Sequence, residues 1–478
     1  MKLKKVSKVL AGGLLVVSMA AAITGCGGNG SSDKGSGSAN ESTVKEEAKK
    51  GDTSGDEKKE DAKKESAEDT GMAKEIDFYA AVLKEEGCMT AAKGFEEETG
   101  IKVNVHSYDS ADFVQAFMVS ANGGSPIDVM LLNGQDVRYF MKNGLIQEMN
   151  GKPGADRVND AAIQQYTYNG KLYAVGAKGG NSSGIYANMD VINQYGGKVP
   201  GTMQELVDLN GKLKADGLSL FAFGGGNKYM WPMWYFSCFG QTSGGRPVER
   251  TEEILTGKAK FTDADSIEAF EVLKTFAEDG MFQPGFNGTD SDGGKAVFVN
   301  GQSALYYGGT WEITSFLEAG MENVELHPFP IIKEGAKSIQ TGNASDGAYT
   351  IYSKIDPARQ SAAEAFIEYM TRDDVIQGFR TSESQDLRDY SRSSCNKNVP
   401  LPDDADDMTK TQQVFLETMT FTHPDWIYPP EITTALQDTL QALTGLQITP
   451  EEAGQQMQAV MDELLADGYD YNEVEQKQ

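Results

Sequence analysis

"IDFYAAVLKEEGCMTAAKGFEEETGIKVNVHS" runs from Ile76 to Ser107 and decides the class of the fold. Its first part, Ile76–Val82, is an apolar run whose length is typical of a buried strand. A helical pattern follows, and Gly100 predicts where that helix ends. Ile101–Ser107 then predicts a second strand, because apolar side chains alternate with polar ones along it.

The alternation of strand and helix continues beyond this stretch. A helix over roughly residues 111–121 and a strand at Ile127–Leu132 follow. Helices between short apolar strands imply right-handed crossovers and a mostly parallel sheet, so we predict an α/β fold. About 400 residues remain after the N-terminal segment, too many for one hydrophobic core, and we therefore predict two lobes with a cleft between them.

Two helix starts are marked by capping boxes. Thr202 with Glu205, and Thr449 with Glu452, place a hydroxyl three residues before a carboxylate, ahead of apolar residues at helical spacing. The second of these boxes lies near the end of the chain, where we predict a helical C-terminal part.

The N-terminus has the layout of a secretory signal. Four lysines precede an apolar run from Val9 to Ile23, which is too short and too weakly apolar to span a membrane. The run ends in Ile-Thr-Gly-Cys, which resembles a lipobox with Cys26 as the lipidated residue. We predict a signal peptide over residues 1–25 and a lipid anchor at Cys26. An ordinary secretory signal with a chance cysteine is the alternative.

Residues 26–73 predict a disordered tether. They are rich in Gly, Ser, Lys, Asp and Glu and hold almost no large apolar side chain. Such a segment buries too little surface to offset the entropy of ordering it. We interpret it as a spacer between the anchor and the folded body.

The charge of the chain and its cysteine content exclude several classes of protein. The formal net charge of −28 disfavours nucleic acid as a partner through repulsion. Cys88, Cys238 and Cys395 show no zinc-type spacing, so we predict buried small hydrophobic residues, with one long-range disulfide as the alternative.

The sequence predicts neither a metal site nor a cofactor. The chain has three histidines, each isolated, which leaves little for zinc binding or histidine-based catalysis. Asp290-Ser291-Asp292-Gly293 begins like a calcium loop, but the later ligands are misplaced, so we predict a turn there. The many carboxylates leave a glycosidase pair open, although no glycosidase signature is present.

The rule that ligands bind at the carboxyl ends of strands selects candidate site residues. Asn133, Gln135 and Asp136 follow the third strand directly, and Tyr79 lies near the end of the first. Trp311 and Glu312 follow a predicted strand at residues 303–307.

The four tryptophans, Trp231, Trp234, Trp311 and Trp426, all lie in contexts with the character of loops or turns. An indole face stacks well on the C–H face of a sugar ring, while nearby Asp, Asn and Gln side chains satisfy the sugar's hydroxyl groups. Buried polar groups left unpaired are costly, so a site of this kind discriminates between hydroxyl patterns. Aromatic residues of the core are the alternative interpretation.

Residues 180–184 match the G-x-S-x-G pattern, which presents a nucleophilic serine in α/β hydrolases. The hypothesis of a secreted esterase using Ser182 requires a helix directly after Gly184 and a nearby histidine. The residues from Ile185 to Asn188 instead predict a strand. Four glycines between Gly176 and Gly184 favour a bend in the chain.

From about Ile76 to Leu465 the chain resembles the family 1 extracellular solute-binding proteins of bacterial carbohydrate ABC transporters, which include maltose-binding protein. Five stretches carry the resemblance in order along the chain: "GFEEETGIKVNV", "SPIDVMLLNGQDVRYFMKNGLIQEM", "YNGKLYAVGA" with the following "GIYANMDVINQYGGKVPGTMQELVDLNGKL", "FVNGQSALYYGGTWEI" and "AAEAFIEYM". The chain departs from the family pattern at Gly176 and Ala177, where a proline is frequent, and at Ile185–Asn188.

The resemblance implies two lobes that close around a sugar and then dock on a permease. By position, Trp311 matches a stacking tryptophan and Trp426 lies near a second stacking position. Asn133, Gln135 and Asp136 match a loop that binds sugar hydroxyl groups. Asp346 lies at the return crossover, where polar contacts are frequent, and Asn181 lies at the hinge and the cleft floor.

The predicted organisation divides the body after residue 73 into two lobes, each built from two segments. The N-lobe takes residues 74–181 and 348–397, and the C-lobe takes residues 182–347 and 398–478. We predict a monomeric, non-enzymatic, lipid-anchored receptor that binds a mono- or oligosaccharide and serves an ABC permease. Its expected location is the outer face of the cell membrane in a bacterium that lacks an outer membrane. A lipoprotein that binds a peptide or a polyol, and the esterase, are the alternatives.

Overall fold

The computed structural model describes residues 72–418 and 427–471. The predicted signal peptide, Cys26, Trp426 and nearly all of the predicted tether lie outside these residues. The strands are β1 (Glu75–Ala80), β2 (Lys102–Ser107), β3 (Val129–Asn133), β4 (Thr167–Tyr168), β5 (Lys171–Leu172), β6 (Val175–Gly176), β7 (Ser183–Asn188), β8 (Ser219–Ala222), β9 (Ser303–Gly309), β10 (Val324–His327) and β11 (Gly347–Ile351).

The helices are α1 (Glu85–Thr99), α2 (Ser110–Asn122), α3 (Asp136–Lys142), α4 (Asp160–Gln165), α5 (Met189–Ile192), α6 (Met203–Ala215), α7 (Trp231–Thr242), α8 (Pro247–Leu255), α9 (Ala264–Glu278), α10 (Ser291–Val299), α11 (Ile313–Glu318), α12 (Gln360–Met370), α13 (Asp373–Phe379), α14 (Gln385–Arg392), α15 (Asp407–Thr418), α16 (Pro430–Thr444) and α17 (Pro450–Ala466). Within the residues that the structure describes, no helix is both long and apolar enough to cross a bilayer.

Two larger sheets organise the described residues, and β4 and β5 form a small separate hairpin. The five-stranded sheet has the order β2-β1-β3-β11-β6, and the four-stranded sheet has the order β10-β7-β9-β8. We call the part built on the five-stranded sheet the first lobe and the part built on the four-stranded sheet the second lobe. The α/β, two-lobe prediction is confirmed.

The prediction of mostly parallel sheets is correct only for part of each sheet. β1 runs parallel to β2 and β3, and β8 runs parallel to β9. β11 is antiparallel to both β3 and β6, and β7 is antiparallel to both β9 and β10. The antiparallel pairs involve the strands that enter or leave a lobe, because a chain returning from the other lobe re-enters the sheet in the opposite direction.

The chain passes between the lobes in segments that run side by side. It leaves the first lobe after β6 and enters the second at β7, and it returns between β10 and β11. Ser183 N–H donates to the Thr341 carbonyl at 2.7 Å, and Asn343 N–H donates to the Asn181 carbonyl at 2.9 Å. After α14 the chain leaves again for α15. We call residues 177–183 and 341–346 the crossing segments.

Each lobe has its own hydrophobic core. Buried side chains of α1, α2, α3, α12 and α14 pack with the five-stranded sheet. Those of α6, α7, α9, α16 and α17 pack with the four-stranded sheet, and α11 and α15 contribute to a smaller cluster on the same lobe. The helical C-terminal part therefore completes the second lobe.

The structure tests three local predictions: the capping box at Thr449, the turn at Asp290 and the buried cysteines. At α17 both halves of the predicted capping box form between Thr449 and Glu452. Asp290 Oδ1 accepts from Gly293 N–H at 2.7 Å and caps α10, which begins at Ser291. The sequence that begins like a calcium loop is therefore a helix start, and the prediction of a turn there is wrong, because an aspartate at this position is also a favoured N-cap. The three predicted buried cysteines are free thiols in the cores, and burial raises the pKa of each: Cys88, Cys238 and Cys395.

Candidate functional site

The carboxyl ends of β1, β2 and β3 open into a groove of about 520 Å³ on the first lobe. This is the position at which an open α/β sheet binds its ligands. Two of the predicted site residues, Asn133 and Asp346, line this groove together. Other polar residues of its wall are Lys84, Glu85, Ser107, Tyr108, Asp109, Ser110, Lys178 and Asp386.

Two carboxylates of the groove, those of Asp346 and Asp386, have fixed partners. Lys178 Nζ lies 3.2 Å from Asp346 Oδ2. The backbone N–H of Lys84 donates to Asp386 Oδ2 at 2.8 Å. Burial raises the pKa of Asp386, although the N–H and the ammonium group of Lys84 act in the opposite direction. Fixed carboxylate and ammonium groups offer both acceptors and donors to the hydroxyl groups of a polar ligand.

The second lobe presents an aromatic group where β9 ends. One 3₁₀ turn, Thr310–Glu312, follows the strand directly. The Trp311 indole is half-buried and lies against the backbone of Gly309, where an added Cβ would meet a ring carbon at 2.1 Å. A residue with a side chain at position 309 would displace the ring, so glycine sets how closely the indole approaches the strand.

Glu312, the next residue of the turn, is almost completely enclosed. Its exposure is 3%, and one carboxylate oxygen lies 3.4 Å from Lys295 Nζ. Burial raises the pKa of Glu312, while Lys295 and side-chain hydrogen bonds with Trp311 and Ser315 act in the opposite direction. The prediction that Glu312 contacts a ligand is therefore wrong, because its carboxylate has almost no surface to offer.

A second exposed aromatic ring belongs to the same lobe. Tyr229 is 45% exposed. Burial of its hydroxyl end raises the pKa of Tyr229, opposed by a side-chain hydrogen bond with Ser291; Glu312 and Lys295 also act on it electrostatically. Tyr229 therefore neighbours the ion pair of Glu312 and Lys295.

The groove and the Trp311 turn are both attached to the crossing segments. Lys178 and Asp346 belong to the crossing segments and line the groove. At the other end of the segments, Thr310 N–H donates to the Ser182 carbonyl at 2.8 Å, and Ser182 N–H donates to Thr310 Oγ1 at 3.1 Å. A conformational change in the crossing segments therefore moves both the groove and the Trp311 turn.

Ser182 lacks the geometry of a nucleophile. The residue is 1% exposed, and its Oγ has no hydrogen-bond partner among the described residues. Strand β7 begins at the next residue, whereas a nucleophile elbow requires a helix. Asn181 is also buried, with an Nδ2 that lacks a described partner. Both residues belong to the packed interior of the crossing segments, which corrects the expectation that Asn181 lies open on the cleft floor.

The structure places Trp231 and Trp234 in the core instead of a cleft. Both are 0% exposed in α7, a helix in which every residue is buried. Trp231 Nε1 donates to the Gly225 carbonyl at 3.1 Å. Trp234 packs edge-on against rings such as Tyr307, with 4.5 Å between ring centroids. The expectation that these two indoles meet a ligand is wrong, because no ring surface is left for one.

Three further predicted site residues, Tyr79, Gln135 and Asp136, lie in different environments. Tyr79 is 1% exposed and stacks on His106 with 4.3 Å between ring centroids, so the prediction that it faces a cleft is also wrong. Gln135 is exposed at the start of α3. Asp136 is half-buried as a residue, but its Oδ2 is enclosed without a described partner, and burial raises its pKa to about 7.

Several residues that line the groove were not selected in the sequence analysis. Lys84 and Asp109 follow β1 and β2, so the strand-end rule applied to every strand would have selected them. Lys178 and Asp386 carried no local signal, because distant parts of the chain bring them to the groove. Across residues 72–418 and 427–471, no group of three or more His, Cys, Asp or Glu side chains could hold a metal ion.

Known proteins of similar sequence are bacterial solute-binding and sugar-binding proteins. The profile described as "Bacterial extracellular solute-binding protein" matches residues 90–415. The galactooligosaccharide-binding protein of Bacillus subtilis is 24% identical over 56% of this chain and 63% of its own length. The multiple sugar-binding protein of Streptococcus mutans is 26% identical over 60% of this chain and 68% of its own length. The chain thus spans slightly under two thirds of the Bacillus relative.

Solved structures show the same fold. A chitin oligosaccharide binding protein has a TM-score of 0.70 and 24% identity, and the alignment covers 82% of this chain and 99% of that one. SBP RafE in complex with raffinose has a TM-score of 0.65 and 20% identity, with coverage of 82% and 99%. With the two lobes, the groove at the strand ends and the profile match over most of the body, the chain belongs to the bacterial extracellular solute-binding proteins.

Proposed function

We propose that this protein binds a sugar or oligosaccharide between its lobes and delivers it to an ABC import permease, without doing chemistry on it. The observation that carries this proposal is the half-buried Trp311, held flat on Gly309. An indole fixed in this way offers a flat apolar face to a sugar ring. The polar groove on the first lobe, attached to the same crossing segments, offers hydrogen-bond partners for hydroxyl groups.

The mechanism is a shift in population. A ligand that contacts both the groove and Trp311 binds more tightly when the lobes are closed, and its binding free energy then favours the closed form. The crossing segments between Lys178 and Ser182 connect the two surfaces and are the natural site of bending. The permease would recognise the closed form.

The proposal extends to the N-terminus and to the boundaries of the lobes. We propose that residues 1–25 are cleaved, that Cys26 carries the lipid, and that residues 26–73 hold a monomeric body at the outer face of the cell membrane. The lobe boundaries are proposed as residues 74–181 and 348–397 for the first lobe, with 182–347 and 398–478 for the second. Mass spectrometry of the protein extracted from membranes tests the anchor, and a Cys26→Ala variant should be released into the medium.

A ligand panel tests the binding function directly. Tryptophan fluorescence and melting temperature would be followed during titration with galacto-, xylo-, chito- and malto-oligosaccharides and raffinose. We expect a saturable response to at least one sugar in the wild type, and a much weaker affinity in Trp311→Ala. Peptides and polyols would be titrated in parallel, and a response to them alone would assign a different solute. A saturable sugar response that Trp311→Ala leaves unchanged would place the site elsewhere.

A further inference from the structure

The two lobes touch directly where α14 faces α11. Helix α14 belongs to the first lobe, since Leu387 and Tyr390 are buried in the core of that lobe. Helix α11 belongs to the second lobe, where Phe316 is buried. Thr314 Oγ1, on α11, donates to Asp389 Oδ1, on α14, at 2.8 Å. This hydrogen bond therefore joins the two lobes.

The last residue of α14, Arg392, adds to this contact from the first lobe. Its Nη2 donates to Thr314 Oγ1 at 2.9 Å and lies 3.6 Å from Asp389 Oδ1. Its Nη1 donates to Asp406 Oδ2 at 2.8 Å and to Thr409 Oγ1 at 3.3 Å, at the start of α15 in the second lobe. The Thr314 hydroxyl thus donates to the carboxylate and accepts from the guanidinium group. We call Thr314, Asp389 and Arg392 the inter-lobe clasp.

The inter-lobe clasp is close in the chain to both surfaces that would contact a ligand. Asp386, which lines the groove, precedes Asp389 by one helical turn, and Thr314 comes shortly after Trp311. The charged side chains of the clasp are partly exposed, Asp389 to 32% and Arg392 to 24%. Water can therefore replace the inter-lobe partners at little cost when the lobes separate. A contact of this kind can form and break with each cycle of closing and opening.

We propose that the inter-lobe clasp forms only when the lobes are closed and sets the fraction of ligand-free protein in that form, without contacting the ligand. A hydrogen bond is lost when its atoms move apart by roughly 1 Å, so a hinge motion that separates α11 from α14 breaks both bonds to Thr314. The inference rests on the proposed function, in which the closed form binds the sugar. The apparent affinity then scales with the closed fraction, so the clasp adjusts affinity from outside the binding surface.

Thr314→Val tests the clasp, because valine has nearly the same shape as threonine and lacks the hydroxyl group that makes both inter-lobe bonds. Thr275→Val is the matched control. Thr275 lies on α9 of the same lobe, and its hydroxyl group donates to the Glu271 carbonyl of its own helix. Arg392→Met serves as a second variant, since it keeps an apolar stem and removes the guanidinium group.

The first measurement needs no ligand and follows the distance between the lobes by pulsed electron paramagnetic resonance. Spin labels on Val119→Cys in α2 and Val207→Cys in α6, both exposed positions, mark one lobe each. The Cys26→Ala protein is used so that the N-terminal segment carries no thiol, and the three thiols of the described residues are buried. We expect Thr314→Val and Arg392→Met to shift the ligand-free distance distribution away from that of the wild type. Thr275→Val should leave it unchanged.

The second measurement uses the sugar of the panel that binds the wild type most tightly. We expect Thr314→Val to weaken its binding roughly threefold, because a smaller fraction of the protein is closed before the sugar binds. At saturating sugar the distance distributions of Thr314→Val and the wild type should coincide, since the ligand then holds the lobes closed. Thr275→Val should bind the sugar as the wild type does.

The outcomes separate this inference from the binding function. If no sugar binds the wild type, the proposed function fails, but the ligand-free distance distributions still decide whether the clasp holds the lobes together. An unchanged ligand-free distribution in Thr314→Val overturns the inference. A difference between Thr314→Val and the wild type that persists at saturating sugar overturns it too, since the substitution would then alter the closed form itself and not its population.

Discussion

Two groups of tryptophans in the second lobe lie in opposite environments. Trp231 and Trp234 lie in α7 and have no exposed surface, whereas Trp311 follows two glycines at the end of β9 and is half-buried. The residue type is the same and the lobe is the same. The difference arises in the backbone, because a helix packed on every side leaves an indole no open face, while a turn at a strand end leaves one.

The contrast shows what makes an aromatic residue available to a ligand. Trp234 is surrounded by rings that interlock with it, so its large surface stabilises the fold. Trp311 is supported by the backbone at Gly309. Support from one side only is the arrangement that a stacking surface needs.

The largest expected effect is on stability, from Trp234→Ala. Removing a fully buried indole leaves a cavity, and we expect the free energy of unfolding to fall by about 3–5 kcal/mol. Urea denaturation followed by circular dichroism measures this, with Trp234→Phe as the milder control. The sugar affinity of the folded protein should be unchanged. A variant of wild-type stability with weakened binding would reverse the roles of the two tryptophans.

Trp311→Ala should show the opposite pattern. We expect sugar affinity to fall by at least about tenfold, because the apolar face opposite the sugar ring is lost. The free energy of unfolding should fall by less than in Trp234→Ala, by about 1–2 kcal/mol, because the Trp311 side chain is only partly buried. Calorimetric titration and urea denaturation on the same sample test both statements. A large loss of stability would show that this indole is also a core residue.

Gly309→Ala sharpens the comparison by changing the support of the ring. The φ of Gly309 is −80°, which alanine adopts without strain, so the effect is confined to the clash with the indole. We expect the ring to shift and the sugar affinity to fall about threefold, a loss near 0.7 kcal/mol. Gly211→Ala, at an exposed position of α6 with nothing within 4 Å of its added Cβ and no positive φ, is a control for alanine without a clash. Equal affinities for wild type and Gly309→Ala would mean that the contact does not position the ring.

The pH dependence of stability tests the burial of one carboxylate, that of Asp136. Burial raises the pKa of Asp136 to about 7, from near 4 in the unfolded chain. The folded state therefore binds this proton more tightly, so the stability of the wild type should decrease as the pH rises from about 4 to 7. Asp136→Asn should remove that part of the slope. Because the residue is partly exposed, we expect a difference on the order of only 1 kcal/mol at pH 8.

Thermal melts from pH 4 to 8 of wild type and Asp136→Asn measure this slope, and Gln135→Asn, at the exposed neighbouring position, is the control. Parallel curves for wild type and Asp136→Asn would show that the Oδ2 of Asp136 reaches solvent or a partner in solution.

The features that could be predicted from the sequence are those determined by residues close together in the chain. The first three strands, the α17 capping box and the position of Asn133 at a strand end follow from patterns within a few residues. The buried state of Trp231 and Trp234 did not, because aromatic density alone does not distinguish a loop from a packed helix. Lys178 and Asp386 meet in one groove only through long-range folding, for which no local pattern exists.

The antiparallel placement of β11 also governs the order in which this protein can fold. β11 lies between β3 and β6 in the first sheet, yet it is synthesised after every strand of the second sheet. While the chain leaves the ribosome, β3 therefore keeps an unpaired edge, and such edges invite pairing with other chains. The sheet that begins first is completed last, so the open edge of β3 persists until all strands of the second sheet have been synthesised.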